Sequence, residues 1–380
     1  MRFLLAFMIA SLIASPGIAQ SDSETTVLEF EGHQFTVAAQ DAEIEDYLDR
    51  EALIFSFGRL WLADSNFTDG VIEFDIAFDD RFGFAGVIWR GSEDGDREYL
   101  YARTGNSGAG DALQYTPIHN GNSAWQIYTD GNAQAAPGFT YEGWNHVRLV
   151  VVGDQADVFI NGATEPTLHI PDLQTERRNG QIGFQVSGRH QARFSKIIIR
   201  PLGPGDMIIG TAEPTVIPQG TISDWSVSTA FAEGEVSDRL ELSPNWSSTS
   251  DWQRLAVESH GIANISRILA RSRETNTVYL ATQIVTASPQ RKRMRFGYSD
   301  RLRLFLNGQL IFDGDSGWRA RDFRFLGTIG LFDAVVLDLQ PGENVLTDAV
   351  SETFGGWGWL AAIEDRNGIA VVTFDPAPES

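Results

Sequence analysis

The chain lacks cysteine and contains only two lysines, Lys196 and Lys292, among its 380 residues. Without cysteine no disulfide can form, so buried apolar surface must stabilise the fold. The formal net charge of −22 disfavours nucleic acid and anionic lipid as partners, because both carry charge of the same sign. Sustained helical periodicity is also absent, since the best candidate, residues 41–53, has too few apolar residues to cover a core. A disulfide-rich scaffold and a helical bundle are therefore excluded.

An apolar run stands near the N-terminus, from Phe3 to Ile13, directly after the basic residue Arg2. This run is too short to span a bilayer core, which needs ~20 residues. Small residues follow it, with Gly17 and Ala19 suitably placed for cleavage after Ala19. We therefore predict a signal peptide over residues 1–19, a periplasmic or secreted protein, and no membrane insertion of the mature chain.

Short strand patterns fill the rest of the chain. The segment from Val71 to Phe78 alternates apolar and polar residues with period two, as a strand with one buried face does. Other β-branched or aromatic runs, bounded by Gly, Pro, Asn or Asp, occupy residues 84–89, 144–152, 157–160, 197–199, 277–286, 302–306, 334–339 and 369–374. Many short strands separated by turns predict β-sandwiches.

The segment Pro201-Leu202-Gly203-Pro204-Gly205 concentrates strong strand breakers, and a mature chain of this length suits two domains. We predict an all-β protein with two jelly-roll-type β-sandwich domains in tandem, over residues 20–200 and 206–380, joined by a linker at 201–205. Two Asn-Gly pairs, Asn161-Gly162 and Asn307-Gly308, each predict a tight two-residue hairpin, because both residues accept positive φ.

The first predicted domain carries an ordered set of short motifs. They are Arg50-Glu51-Ala52-Leu53, Phe67-Thr68-Asp69-Gly70-Val71-Ile72-Glu73-Phe74-Asp75, Gly86-Val87-Ile88-Trp89-Arg90, Tyr99-Leu100-Tyr101-Ala102-Arg103, Trp144-Asn145-His146-Val147, Phe159-Ile160-Asn161-Gly162 and Gly180-Gln181-Ile182-Gly183-Phe184. In this order they resemble the concanavalin A-like lectin/glucanase superfamily, close to its laminin-G-like and 3-keto-disaccharide-hydrolase-like branches. The resemblance implies a curved jelly-roll sandwich whose concave sheet can hold a glycan.

The last hundred residues or so carry a second set of motifs. They are Asp300-Arg301-Leu302-Arg303-Leu304-Phe305-Leu306-Asn307-Gly308, Leu339-Gln340-Pro341-Gly342-Glu343-Asn344-Val345-Leu346 and Gly355-Gly356-Trp357-Gly358-Trp359. This set resembles the galactose-binding-like jelly rolls that are attached to many secreted glycoside hydrolases. Residues 207–273 resemble no family.

A candidate carbohydrate site follows from one predicted strand and its neighbours. Period two places Tyr99, Tyr101 and Arg103 on one face. Aromatic rings can stack on the C–H side of a sugar, while Arg, Gln and Tyr hydroxyl groups can bond its rim. The alternative is that half of these rings fill the core. The candidate binding residues are Arg90, Tyr99, Tyr101, Arg103, Gln114, Tyr115 and Trp125, of which Tyr101 and Trp125 have the strongest case.

No complete catalytic set is present in the sequence. Glu73 and Asp75 share a strand face, as two of three acidic residues do in family 16 glycoside hydrolases, but Phe78 stands at the third acidic position. The catalytic residues are therefore unassigned. An enzyme would have to combine carboxylates from separate strands, such as Glu98, Asp75 or Asp111.

The loop Gly314-Asp315-Ser316-Gly317 matches the loop around the nucleophile of chymotrypsin-like proteases. Trp318 follows it here, where that family has another glycine, so the four residues are interpreted as a turn.

Metal and cofactor sites are not assigned. The six histidines show no paired metal-ligand spacing. Calcium is left open at two carboxylate pairs in turns, Asp94 with Asp96 and Asp313 with Asp315, because two carboxylates fall short of a calcium ligand set.

Three functions remain open: an exported carbohydrate-binding protein that assists polysaccharide breakdown, a glycoside-hydrolase-like enzyme, and an adhesion or assembly module that binds protein. A glycan is the expected ligand, and the oligomeric state is undetermined.

Overall fold

The computed structural model describes residues 26–376, apart from 93, 176–178, 249, 323 and 324, so the predicted signal peptide lies outside the described residues. Within the described ranges no α-helix occurs, and only Glu233–Glu235 and Ile265–Arg267 form single turns of 3₁₀-helix. That part of the chain accordingly has no helix of the length and apolarity that crossing a membrane requires. The all-β prediction is confirmed, and residues 41–53 lie mostly in strands.

Thirteen strands precede the predicted linker. They are β1 Val27–Phe30, β2 His33–Tyr47, β3 Arg50–Leu62, β4 Gly70–Ala77, β5 Gly83–Gly91, β6 Arg97–Arg103, β7 Leu113–His119, β8 Asn122–Ser123, β9 Gln134–Ala135, β10 Asn145–Val152, β11 Gln155–Ile160, β12 Leu168–Ile170 and β13 Gln181–Arg200.

Eleven strands follow the linker. They are β14 Asp224–Ser228, β15 Trp252–Ala256, β16 Ala263–Asn264, β17 Thr277–Thr286, β18 Gln290–Ser299, β19 Arg301–Leu306, β20 Gln309–Asp315, β21 Asp333–Leu339, β22 Gly342–Ser351, β23 Gly358–Ile363 and β24 Ile369–Thr373.

The long strand β13 joins the two layers of the first half, residues 26–200. Its N-terminal part pairs with β5, and its C-terminal part pairs with β4. Its register against β3 shifts between Val186 and Gln191, where the strand bends from one layer to the other. Beyond these pairs, one layer continues through β10, β11 and β12, and the other through β6, β7 and β8.

Aromatic side chains fill the space between these layers. Phe74 on β4 meets Phe184 on β13 edge to face at 5.2 Å, and Phe184 also packs on Phe194 at 4.6 Å. All three rings are almost completely buried. The alternating pattern of β4 therefore faces Ile72, Phe74 and Ile76 inward and places Glu73 and Asp75 on the outside.

The second half, residues 206–376, is another antiparallel sandwich. One sheet has the order β15-β14-β17-β22-β19-β20, with β24 beside β17, and the other has the order β16-β23-β18-β21. Their apolar faces meet in a core that contains Trp225 and Trp359, whose rings lie 5.8 Å apart. Three short strands and both 3₁₀ turns lie within residues 207–273, where the sequence resembled no family.

The two Asn-Gly pairs differ in outcome. Asn307 and Gly308 both have positive φ and join β19 to β20, with Leu306 directly opposite Gln309. This tight hairpin is confirmed. Asn161 and Gly162 also form a turn with positive φ, but the next strand pair begins only at Leu168, opposite Val158. The second prediction of a two-residue hairpin is wrong, because residues 163–167 extend the loop.

Gln126 from the first half inserts into the second half. Its Nε2 donates to the carbonyl oxygen of Leu326 at 2.8 Å, and its Oε1 accepts from Ser299 Oγ at 2.9 Å. Its backbone N–H donates to the carbonyl oxygen of Gly355 at 3.0 Å. The first core also includes Ile262 of the second half. The halves therefore share buried contacts, while the division into two domains, residues 20–200 and 206–380, stays a prediction.

The segment after the predicted linker packs on the first half. Buried Asp157 accepts hydrogen bonds from the backbone N–H groups of Ile209 and Gly210 at 2.7 and 2.9 Å. Asp206 forms ion pairs with Arg200 and Arg148, and hydrogen bonds from Arg200, from the backbone N–H of Gly203 and from Arg148 lower the pKa of its carboxyl group. The chain therefore runs along the surface of the first half before it enters β14.

Candidate functional site

Strands β5, β6 and β7 present polar and aromatic side chains on their side away from the first core. Pairing places Phe84 opposite Arg103 and Tyr101 opposite Gln114. Alternation keeps Tyr99, Tyr101 and Arg103 on the same side, as period two predicts. We call this side of the three strands, with Phe84, Tyr99, Tyr101, Arg103 and Gln114, the tyrosine face.

The two tyrosines of this face are packed inside it. Tyr99 and Tyr101 are each only 4% exposed, and their ring centroids lie 4.7 Å apart. Tyr101 Oη donates to Gln114 Oε1 at 2.8 Å. Burial raises the pKa of the Tyr101 phenol, so the group stays protonated and keeps donating. This burial favours the alternative that the rings of Tyr99 and Tyr101 fill the interior of the protein instead of contacting a glycan.

Arg103 is the centre of a polar network. Its Nη1 lies 3.2 Å from Asp111 Oδ2, and its Nη2 donates to Gln114 Oε1 at 2.8 Å. Its guanidinium carbon lies 5.3 Å from the ring centroid of Trp125. Gln114 Nε2 in turn donates to the carbonyl oxygen of Trp125 at 3.0 Å. Arg103 is buried but paired, which offsets the cost of removing its charge from water.

A cleft of about 410 Å³ opens beside this network. Two of its residues, Leu326 and Thr328, come from the second half, and the others come from the first. The lining residues are Arg103, Gly110, Asp111, Trp125, Thr129, Gln134, Leu326 and Thr328. Its volume lies near the lower end of the range for small-molecule sites, about 300–1,000 Å³.

Of the seven predicted binding residues, only Arg103 and Trp125 line the cleft, and Arg90 and Tyr115 make their contacts elsewhere. Tyr115 follows Gln114 in sequence and therefore points to the opposite side of β7, where its Oη donates to buried Glu98 at 2.6 Å. Arg90 is fully buried, donates to the carbonyl oxygen of Thr68 at 3.1 Å and pairs with Asp69. Both side chains make contacts outside the cleft lining, and their part in binding stays a prediction.

The three carboxylates considered for catalysis lie in three different places. Asp75 is on the outer side of β4, 2.8 Å from both His146 and Arg50. Glu98 lies in the first core and accepts from the backbone N–H and Oγ of Thr175, while burial raises the pKa of its carboxyl group. Only Asp111 of the three lines the cleft.

The prediction that residues 314–317 form a turn is wrong, because Gly314 and Asp315 are paired residues of β20. Ser316 is the next residue. It is 3% exposed, follows β20, and its backbone N–H donates to the carbonyl oxygen of Asp300 at 2.7 Å.

The carboxylates considered for calcium make hydrogen bonds or ion pairs with the protein. Asp313 pairs with Arg303 at 2.6 Å, and Asp315 accepts from the backbone N–H of Gly317. Asp94 accepts a hydrogen bond from the backbone N–H of Asp96, and Asp96 accepts one from the backbone N–H of Asn120, in the turn between β7 and β8. Over the described residues, no group of three or more His, Asp or Glu side chains is placed to hold a metal ion.

A buried acid pair behind the cleft was missed by the sequence reasoning. Asp300 Oδ2 accepts from the backbone N–H groups of Thr353 and Phe354 at 2.9 and 3.1 Å, and burial raises the pKa of its carboxyl group. Glu352 is 2% exposed, and burial followed by repulsion from Asp300 raises its pKa to about 8. Since these carboxylates come from separate strand ends, no spacing in the sequence identifies them.

The first half matches a described family. Residues 28–200 match the model of the 3-keto-alpha-glucoside-1,2-lyase-like domain. This match confirms the resemblance to the 3-keto-disaccharide-hydrolase-like branch. No curated protein sequence matches the chain.

Solved structures of carbohydrate-related proteins are also similar to parts of the chain. The carbohydrate-binding module CBM66 from Bacillus subtilis is 11% identical, with a TM-score of 0.32, covering 42% of this chain and 95% of the module. The β-glucanase of Bacillus licheniformis is 11% identical, with a TM-score of 0.31, covering 44% of this chain and 91% of the enzyme. At these TM-scores, neither similarity supports a statement about function. The galactose-binding-like resemblance of the second half stays a prediction.

Proposed function

We propose that the chain is an exported carbohydrate-binding protein that assists polysaccharide breakdown and holds its glycan in the cleft. The observation that carries this proposal is the partly buried Trp125 ring beside the Arg103–Asp111 pair in a cleft of small-ligand size. A ring of this kind stacks on the C–H face of a sugar, and the charged pair offers both donors and acceptors to its hydroxyl groups. One apolar face with a few convergent polar groups is typical of such sites.

Two further observations support the proposal. The family description names an α-glucoside, which suggests glucose-type sugars as ligands. The apolar segment at residues 3–13, followed by small residues, suggests export to the periplasm or the medium, where polysaccharides are found.

A glycan array with the mature chain, followed by titration calorimetry on each hit, tests the proposal. Trp125→Ala should weaken binding by about 1–3 kcal/mol, because one stacking surface is lost while the cleft remains. Trp144→Ala is the matched control: it removes another partly buried tryptophan that lies under an arginine, here Arg50 at 4.1 Å, but on the outer side of the opposite layer.

The control variant should bind as the wild type does. Equal loss of affinity in both variants would mean that tryptophan removal acts through the fold. Unchanged binding by Trp125→Ala would place the glycan elsewhere.

A second candidate is a lyase or hydrolase reaction on the glycosidic bond of an α-glucoside, which the family match favours. Asp111 would supply the acid or base, since it is the carboxylate among the cleft residues. Incubation with a 3-keto-disaccharide, followed by mass spectrometry, distinguishes the candidates. Product formation by the wild type that disappears in Asp111→Asn would establish the enzyme, whereas binding without product would favour the first proposal.

A further inference from the structure

Two large aromatic side chains of the second half stand exposed next to Trp125. Phe354 is 53% exposed and Trp318 is 36% exposed. The ring of Phe354 lies 6.0 Å from that of Trp125, and the ring of Trp318 lies 6.3 Å from that of Phe354. We call these three side chains the aromatic rim. Half-exposed rings contribute little to a core, so their arrangement in series calls for another explanation.

Both loops that carry the rim are fixed by Asp300. Its carboxylate accepts from the backbone N–H groups of Thr353 and Phe354, and its carbonyl oxygen accepts from the backbone N–H of Ser316 at 2.7 Å. Asp300 itself is only 3% exposed. One buried residue therefore anchors the backbone of both loops that carry the rings, and a pre-ordered surface loses less entropy when a ligand binds.

The rim is continuous with the cleft. Trp125 belongs to both, and the Leu326 carbonyl at the cleft wall accepts from Gln126, the next residue after Trp125. At the far end of the rim, the guanidinium of Arg319 lies 4.1 Å from the ring of Trp318 and can donate to hydroxyl groups. A ligand that extends from the cleft past Trp125 therefore contacts the apolar rings of Phe354 and Trp318 and then the hydrogen-bond donors of the Arg319 guanidinium.

We propose that the second half extends the carbohydrate site, so that the chain binds an oligosaccharide with one end in the cleft and further sugar units on Phe354 and Trp318. This inference rests on the proposed function, because the same cleft holds the first sugar unit. Sugar rings expose a C–H face at each unit, and consecutive aromatic rings can stack on consecutive units. Affinity should therefore increase with chain length.

Calorimetric titration with glucose and with linear α- and β-linked gluco-oligosaccharides of two to six units tests the inference. Phe354→Ala and Trp318→Ala should each weaken binding of the longest ligand by roughly tenfold and leave the shortest bound ligand within about twofold of wild type. Phe354→Tyr keeps the ring and should retain the length dependence. Leu240→Ala removes another exposed apolar side chain of the second half, 71% exposed, and should change nothing.

The outcomes separate the two proposals. If the wild type binds none of these sugars, the proposed function fails and the inference fails with it. If the wild type binds them while Phe354→Ala and Trp318→Ala behave as the wild type, the proposed function stands and the inference is wrong. Equal weakening at every chain length, or early melting of Phe354→Tyr, would also contradict it, since the rim would then act through the fold.

Discussion

Gln126 provides the sharpest test of how the two halves are joined. Its side chain is fully buried and makes two hydrogen bonds to the second half, with Leu326 and Ser299. Replacement by alanine removes both bonds but leaves the backbone hydrogen bond to Gly355 intact. Ser299 Oγ keeps a weaker alternative at 3.2 Å, Asp300 Oδ1.

The expected cost follows from these contacts. Each buried polar group that loses its partner costs about 1–3 kcal/mol, with Ser299 at the low end because of its alternative acceptor. The missing amide also leaves a cavity between the halves. We expect Gln126→Ala to lower the free energy of unfolding by about 2–4 kcal/mol.

Gly355 makes the prediction more specific. A Cβ at this position would lie 2.2 Å from Gln126 Oε1, and its φ is +116°. Gly355→Ala should therefore displace Gln126 and add backbone strain, while the same change in a Gln126→Ala background should cost only the strain. Gly342 supplies the control, because its φ is +97° and nothing lies within 4 Å of an added Cβ.

Urea unfolding followed by tryptophan fluorescence measures the three single variants, Gln126→Ala, Gly355→Ala and Gly342→Ala, and the double mutant. The two changes at Gln126 and Gly355 should be less than additive, by at least about 1 kcal/mol. Additive costs would refute the reasoning, because they would mean that the Gln126 side chain does not occupy the space beside Gly355. A Gln126→Ala variant as stable as the wild type would refute it as well.

Two further predictions concern buried groups. The pKa of Glu352 is raised to about 8 from an ordinary value of 4.5, so the folded state binds the proton more tightly than the unfolded state does. The free energy of unfolding should therefore fall as pH rises from 4.5 to 8. Glu352→Gln should flatten this part of the pH profile in urea titrations, and a profile parallel to wild type would contradict the assignment. Tyr101→Ala should lower the free energy of unfolding by about 3–5 kcal/mol, because a buried ring is lost, whereas Tyr101→Phe should lower it by only about 1 kcal/mol, for the bond to Gln114. Calorimetric melting checks both, and a stable Tyr101→Ala variant with weakened glycan binding would restore Tyr101 as a contact residue.

Part of the strand content of this protein followed from local patterns, whereas β2 and β3, within residues 33–62, were not predicted as strands. The alternation from Val71 to Phe78 became β4, with Glu73 and Asp75 outside the core, because the side-chain period of a strand fixes which residues share a face. The same rule placed Tyr99, Tyr101 and Arg103 together. The Asn307-Gly308 turn was predictable for a similar reason, since its two residues and their flanking strands are contiguous in sequence.

The depth at which a face is buried was not predictable from the same patterns. The sequence supported Tyr101 and Trp125 equally as candidate binding residues. In the structure Tyr101 is packed against Tyr99, whereas Trp125 lines the cleft. Arg90 and Tyr115 were grouped with them by proximity along the chain, although alternation turns Tyr115 to the other side of β7 and Arg90 pairs with Asp69, which does not line the cleft. Burial depends on what other segments cover, which is a property of the whole fold.

By itself, the sequence predicted some of the strands, such as β4 and β6, the residues that share a strand face, and a resemblance within residues 47–200 to a carbohydrate-related family, which the match over residues 28–200 confirms. Only the tertiary structure decided that Leu326, Thr328 and Phe354 stand beside Trp125. These residues are about two hundred positions apart from it, and no periodic pattern connects them. They meet because Gln126 is inserted between Leu326 and Gly355, so long-range packing, rather than local chemistry, assembles the candidate site.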